Sequence, residues 1–243
     1  MVAINKDQEK GTLYLMPNTL GETDLNTIIP ELNQVILKRT RVFITENIRT
    51  ARRFLKKVDR NIEIDAITFF VLDKHTNTED TMEYLNDALR GKNIGLLSEA
   101  GTPCIADPGA VIVHRAHQLG IKVVPLVGPN SIIMALMASG FNGQQFQFHG
   151  YLPIPSGERT MKIRDIEKKA WQQDQTQIFI ETPFRNKAMF ESLLKTCRDD
   201  TELCIACNLS LEDELVMTLP IRQWKKNVPD IHKKPVVFLL YRG

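Results

Sequence analysis

The chain has 243 residues, 43% hydrophobic and 25% charged, which suits one large or two small globular domains and excludes a low-complexity or fibrous protein. No apolar run approaches the roughly 20 residues of a membrane helix, and Met1–Lys6 lacks the apolar core of a signal peptide, so the expected location is the cytoplasm with no membrane partner. A net charge of +2 leaves no strong overall footprint for nucleic acid, though it permits a local basic face, and four cysteines are too few for a disulfide scaffold.

The apolar period alternates along the chain between two and three to four. Thr12–Met16 reads as a first strand. Beyond a polar loop, Ile28, Leu32, Val35 and Ile36 fall on one helical face, with Pro30 tolerable only in a first turn. Arg41–Ile44 is a short strand, Thr50–Lys57 a helix and Ile64–Leu72 strand-like; Met82, Leu85, Ala88 and Leu89 mark a helix that Gly91 closes. A strand at 93–97, a turn at 98–109, a helix ended by Gly120 and a strand Ile121–Pro125 complete a pattern expected of an open, mostly parallel sheet covered on both faces.

The character changes near Val127-Gly128-Pro129. A helix Asn130–Ala138, a strand Gln145–His149, a Pro-rich loop, a charged helix to about Trp171, a strand Thr176–Ile180 and a helix through Met189, Leu193 and Leu194 come next. Three closing strands, Leu203–Cys207, Glu214–Thr218 and Pro235–Tyr241, are not separated by helices, which points to antiparallel pairing. The expected fold class is therefore α/β in two α/β/α domains: an N-terminal one with a mostly parallel sheet (1–125) and a C-terminal one with a mixed sheet (126–243).

The turn Ser98-Glu99-Ala100-Gly101-Thr102-Pro103-Cys104-Ile105-Ala106-Asp107-Pro108-Gly109 holds two prolines and two glycines between a strand and a helix. Ligands of open α/β sheets bind beyond the carboxyl ends of the strands, which is where this turn lies. Gly101 lets backbone approach a ligand closely, and Thr102 offers a hydroxyl. Asp107-Pro108 reads as an N-cap followed by proline at the first helical position, so Asp107 is assigned to capping and Glu99 and Thr102 to ligand contact.

Ser98–Pro103 with Ala106–Gly109, followed by Val123-Val124-Pro125-Leu126-Val127-Gly128-Pro129, resembles the tetrapyrrole methylase superfamily of S-adenosylmethionine-dependent methyltransferases. The resemblance extends from Gly11–Tyr14 through Phe148–Pro153 and Phe179–Arg185 to the last strand, and is strongest to the branch that 2'-O-methylates a cytidine of small-subunit ribosomal RNA. It implies a two-domain homodimer with S-adenosylmethionine in a cleft between the domains. Carried over by position, the donor site would comprise Leu15, Met16 and Pro17; Ala100, Gly101, Thr102 and Ile105; Asn130 and Ser131; and Glu181, Leu209 and Pro235. An acceptor hydroxyl would benefit from a general base, and Glu46, Glu99, His75 and His149, all at expected strand ends, are the candidates.

This chain departs from that branch in three places, the first being the loop after the first strand, Pro17-Asn18-Thr19-Leu20-Gly21-Glu22 here where the branch has Pro-Thr-Pro-Ile-Gly-Asn. Where the branch has an acidic-acidic-Thr-Arg run, Thr45-Glu46-Asn47-Ile48-Arg49-Thr50 stands here; where it has Arg-Glu-Leu-Thr-Lys, the segment Cys207–Asp213 lacks both basic residues. RNA is the expected acceptor, with two rivals: methylation of a tetrapyrrole or other small molecule, and a donor-binding protein that has lost catalysis. No metal site is expected. His114 and His117 have a metal pair's spacing without a further ligand in reach, and Cys204 and Cys207 lie three apart in a strand-like run, so they read as buried free thiols on opposite faces. Lys162, Arg164, Lys168 and Lys169 read as a solvated helix face; Arg222, Lys225, Lys226, Lys233 and Lys234 form a basic cluster less interrupted by acids.

Overall fold

The computed structural model describes residues 9–73, 76 and 80–242. The chain divides into two compact units, one up to Pro129 and the other from Asn130 onward.

In the first unit, β1 (Thr12–Met16) is followed by α1 (Leu25–Ile28) and α2 (Glu31–Arg39), then β2 (Val42–Thr45), α3 (Ile48–Val58), β3 (Thr68–Val71), α4 (Asn86–Leu89), β4 (Ile94–Leu97), α5 (Ala110–Gln118) and β5 (Lys122–Pro125). The single helix expected around Pro30 is divided there. Proline has no N–H to donate, and Pro30 at ψ 148° serves as the N-cap of α2 while α1 is a separate turn. The strand expected over 64–72 is confined to β3, because β2 offers only four residues to pair with; Ile64–Ala66 forms a single 3-10 turn instead. The helix expected through Met82 begins as a 3-10 segment, Asp80–Leu85, before α4.

All five strands run parallel in the order β3-β2-β4-β1-β5. Alternate residues send side chains to two cores. Met16, Phe43 and Leu97 pack with Leu37, Phe54 and Leu55 under α2 and α3; Leu13, Ile44, Ile94 and Leu96 pack with Ala88, Ile112 and Ala116 under α4 and α5. The register puts Met16, Thr45 and Leu97 level, so the chain leaves β1, β2 and β4 along one edge. From β1 the chain departs toward α1 on one face, and from β4 toward α5 on the other. The neighbours β1 and β4 thus form the switch point at which open α/β sheets bind ligands.

The second unit contains α6 (Ser131–Ser139), β6 (Phe146–Tyr151), α7 (Ser156–Gln173), β7 (Thr176–Glu181), α8 (Asn186–Thr196), β8 (Glu202–Cys207), β9 (Leu215–Pro220), α9 (Ile221–Trp224) and β10 (Val236–Tyr241). Its sheet is mixed, in the order β6-β7-β10-β8-β9, with β6 and β7 parallel and the other pairs antiparallel. The consecutive strands β8 and β9 pair antiparallel as expected. β10 is not beside β9, because α9 intervenes and returns the chain to insert between β7 and β8. Phe179, Leu203, Ile205, Cys207 and Phe238 face Ile163, Ile166, Phe190 and Trp224 in one core. Cys204 lies on the opposite side of β8 from Cys207, and both thiols are free and buried.

Candidate active site at the carboxyl ends of the strands

The loops leaving β1 and β4 are joined to each other. Asn18 and Gly101 exchange backbone hydrogen bonds, Asn18 N–H to Gly101 O at 2.9 Å and Gly101 N–H to Asn18 O at 3.2 Å, as an isolated antiparallel bridge. Asn18 Nδ2 also donates to the carbonyls of Ser98 (3.3 Å) and Glu99 (3.1 Å). Sequence reasoning passed over Asn18; its signal was an amide residue two positions past the first strand, where a loop with many carbonyls needs donors.

The turn at 98–109 is held in a conformation that its composition explains only in part. Gly101 has φ +69°, and Cys104 and Ala106 also adopt positive φ, +68° and +63°. Two non-glycine residues in the left-handed region cost on the order of 1–2 kcal/mol each, so other contacts must hold the turn. Asp107 supplies them. Its Oδ1 accepts from Cys104 N–H at 2.7 Å and Gly109 N–H at 2.9 Å, and the Ser98 hydroxyl donates to its Oδ2 at 3.4 Å. This corrects the expected helix cap: α5 starts at Ala110 with Gly109 as N-cap, and Asp107 braces the turn ahead of it.

Leu15, Met16 and Pro17 lie where β1 ends. Met16 is fully buried, and its carbonyl accepts from Ser98 N–H at 3.3 Å, so only backbone of this residue borders the edge. Pro17 packs under Gly128, where an added Cβ would stand 2.3 Å from the proline ring, and Leu126 N–H donates to Leu15 O. A Cβ on Gly101 would lie 3.1 Å from Leu20 Cδ2 and 3.2 Å from Pro129 O, so glycine keeps open the space between these segments. Ala100 and Ile105 are exposed and Thr102 is half-buried.

An acidic group borders this turn. Glu46, directly after β2, lines a small pocket with Thr45, Leu72, Leu96, Leu97, Asp107, Pro108 and Gly109. Burial, and then the neighbouring carboxylates of Asp107, Glu99 and Asp73, hold its carboxyl above the usual range. Glu99 is engaged differently: the Thr50 hydroxyl in the first turn of α3 lies 2.7 Å from each of its carboxylate oxygens. Asn47 caps α3 by accepting from Arg49 and Thr50 N–H, and so fixes where Thr50 points.

In the second unit, Glu181 ends β7, Leu209 follows β8 and Pro235 precedes β10. Since Val236 pairs with both Glu181 and Cys207, these three residues share one end of the mixed sheet. Glu181 is buried, and its Oε1 accepts from Thr182 N–H at 2.6 Å and from Arg185 Nε and Nη2 at 2.9 and 2.6 Å. The Ser210 hydroxyl beside Leu209 is buried without a hydrogen-bond partner among the described residues. Asn130 is the N-cap of α6, its Oδ1 accepting from Ile132 and Ile133 N–H at 3.0 Å each, and Ser131 opens that helix.

His149 does not end its strand as expected. A bulge at Gly150, φ +64°, carries β6 on to Tyr151, and the imidazole lies 2.7 Å from Gln177 Oε1. Burial first, and also Lys162 and Lys169 of α7, hold its pKa below the ordinary histidine value. His75 lies outside the described residues. Among the described residues no three His, Cys, Asp or Glu side chains converge as a metal would require, and His114 Nε2 instead meets Gln118 Nε2 at 3.0 Å. The basic cluster near the C-terminus is partly paired: Lys225 meets Asp199, and Lys234 meets Asp213 and Asp230.

A family model described as Tetrapyrrole (Corrin/Porphyrin) Methylases matches residues 31–224. The ribosomal RNA small subunit methyltransferase I of Vibrio cholerae serotype O1 is 31% identical over 234 residues, 95% of this chain and 77% of that protein. The protein of the same name from Escherichia coli O157:H7 is 28% identical over 237 residues, 96% of this chain and 79% of its own length. In fold, the chain resembles the methyltransferase CobJ with a TM-score of 0.62 at 13% identity, over 96% of this chain and 95% of that one. With its two α/β units and a family match across most of its length, the chain belongs to the tetrapyrrole (corrin/porphyrin) methylase family and is a methyltransferase.

Proposed function

We propose that this methyltransferase uses S-adenosylmethionine to methylate RNA, at a ribose 2'-hydroxyl of small-subunit ribosomal RNA. The observation that carries the reading is the bridge between Asn18 and Gly101, which sets a backbone-lined turn at the switch point of the parallel sheet in a chain of this family. The residues present fit such a donor. A side chain at Gly101 would fill the space beside Leu20 and Pro129, while glycine leaves backbone facing it. The first unit would contribute the ends of β1 and the turn through Leu15, Met16, Pro17, Ala100, Gly101, Thr102 and Ile105. From the second would come Ser131, Leu209, Pro235 and Glu181, the last held by Arg185.

A bound donor would supply a sulfonium methyl group that oxygen can accept, leaving a neutral thioether. The rest is the chain's work: to orient the acceptor, exclude water and take up the proton that the acceptor hydroxyl loses. Orientation of this kind is worth about 7–11 kcal/mol in favourable cases. Glu46 is our choice for the proton acceptor, because its carboxyl is held above the usual range and, among the described residues, no side-chain donor occupies it as Thr50 occupies Glu99. A raised carboxylate is the stronger base near neutral pH. We further propose, from the family resemblance, that the enzyme works as a cytoplasmic homodimer; light scattering reads the mass directly.

One observation favours a small-molecule acceptor as the second reading. The segment Cys207–Asp213 lacks the branch's two basic residues, and Asp213 is tied to Asn208 Nδ2 at 2.8 Å and Lys234 Nζ at 3.3 Å. Purified enzyme given tritiated methyl donor, with small-subunit ribosomal RNA or a tetrapyrrole pool as acceptor, separates the two. Label in RNA that Glu46→Gln abolishes supports the proposal. Label in tetrapyrrole alone supports the rival, and label in neither, by protein that binds S-adenosylhomocysteine, supports a donor-binding protein without catalysis.

A further inference from the structure

Residues 38–60 hold nine Lys and Arg against two acids, in a chain whose net charge is only +2. The structure arranges most of that excess as one stripe. On α3, Ala51, Phe54 and Leu55 are buried against the sheet, and Arg49, Arg52, Arg53, Lys56 and Lys57 are exposed, at the i, i+3, i+4, i+7, i+8 spacing that keeps side chains on one helical face. Arg60 continues the series just past the helix, and the stripe spans roughly 16 Å at 1.5 Å per residue.

The acids near it do little to neutralise it. Arg52 meets Asp65 at 2.6 Å and Lys57 meets Glu22 at 3.1 Å, but the two carboxylate side chains are 97% and 100% exposed, and ion pairs of that kind are weak and easily exchanged. Among the described residues, Arg49, Arg53 and Arg60 have no carboxylate in ion-pair contact. A cationic face costs the folded state through self-repulsion, and nothing in the core requires it.

Its position joins it to the site. α3 starts from the Asn47 cap immediately after Glu46, and Thr50 in its first turn bonds Glu99 of the turn. Arg49 therefore stands at the rim of the acidic group and Arg60 far from it. We propose that the exposed face of α3 is the track on which the acceptor RNA lays its phosphate backbone as one nucleotide reaches Glu46. Negative phosphates fit the stripe by charge, and contacts of that kind position a strand without reading its sequence. This rests on the RNA reading above.

The test is a double substitution away from the site, Arg53→Gln with Lys56→Gln, which keeps good helix formers at exposed positions. S-adenosylhomocysteine affinity, far-UV circular dichroism and kcat at saturating RNA are expected to match the wild type. KM for small-subunit ribosomal RNA should rise about tenfold, and the slope of log affinity against log salt should flatten by about 1.4, or 0.7 per lost phosphate contact on a single strand. Wild-type RNA methylation with unchanged KM and salt slope in the variant overturns this proposal and leaves the RNA reading standing. Wild type that binds S-adenosylhomocysteine but neither binds nor methylates RNA overturns both. Wild type that binds phosphatidylserine vesicles in preference to RNA, with the variant losing that binding, assigns the stripe to a lipid surface and also overturns it.

Discussion

Asp107 is the residue on which the geometry of the turn depends. Its Oδ1 pairs two backbone N–H groups while Cys104 and Ala106 sit at positive φ. Asp107→Ala leaves both donors unpaired and is expected to cost about 2–4 kcal/mol in urea denaturation, with a matching loss of donor affinity. Asp107→Asn keeps an acceptor and should recover most of both. Glu46 works in the opposite direction. Folding raises its carboxyl above the ordinary value near 4.5, so the folded chain keeps that proton longer than the unfolded one. Stability therefore falls as pH rises through the window between the unfolded and folded values. Glu46→Gln removes this penalty. Its thermal midpoint should exceed that of the wild type at pH 7 and approach it at pH 4, while methyl transfer is lost. In the wild type, kcat should climb with pH through an inflection above the usual carboxylate range. Burial pushes the thiols of Cys104 and Cys204 up to about 11 and raises those of Cys197 and Cys207 as well. The buried thiols of Cys197, Cys204 and Cys207 should accordingly resist a disulfide reagent at pH 8, and rapid labelling of any of these three in the native enzyme would contradict that burial.

Among the elements, those with strong local signals were legible. Strands such as Thr12–Met16 and Leu203–Cys207 are apolar runs with clear breaks. Elements that depend on a distant partner were not. β3 stops where β2 has no more residues to pair, and β10 enters between β7 and β8 although β9 precedes it in the chain. α9 is only four residues long, too short for a periodic signal, yet it delivers Trp224 fully buried into the core with its indole N–H 2.8 Å from Leu203 O. Trp224→Ala should cost about 3–5 kcal/mol by urea denaturation, and Trp224→Phe distinctly less. The basic stripe of α3 was overlooked because its cations alternate with core residues; the helical spacing that reveals it is the same signal used for apolar faces.

At the scale of the molecule, two α/β units with one parallel and one mixed sheet followed from the alternation of apolar periods. The donor residues came from the family resemblance, and the structure assigns several of them work that no motif reveals. Asn130 caps a helix, Glu181 is clamped by Arg185, and Met16 offers only backbone. The central proposal is that the turn between β4 and α5 holds the methyl donor. Isothermal titration of S-adenosylhomocysteine into wild type and into Gly101→Trp, with circular dichroism to establish that both are folded, tests this most directly. Micromolar binding by the wild type that the bulky side chain abolishes is the predicted result; equal binding by a folded Gly101→Trp, or none by the folded wild type, would contradict it.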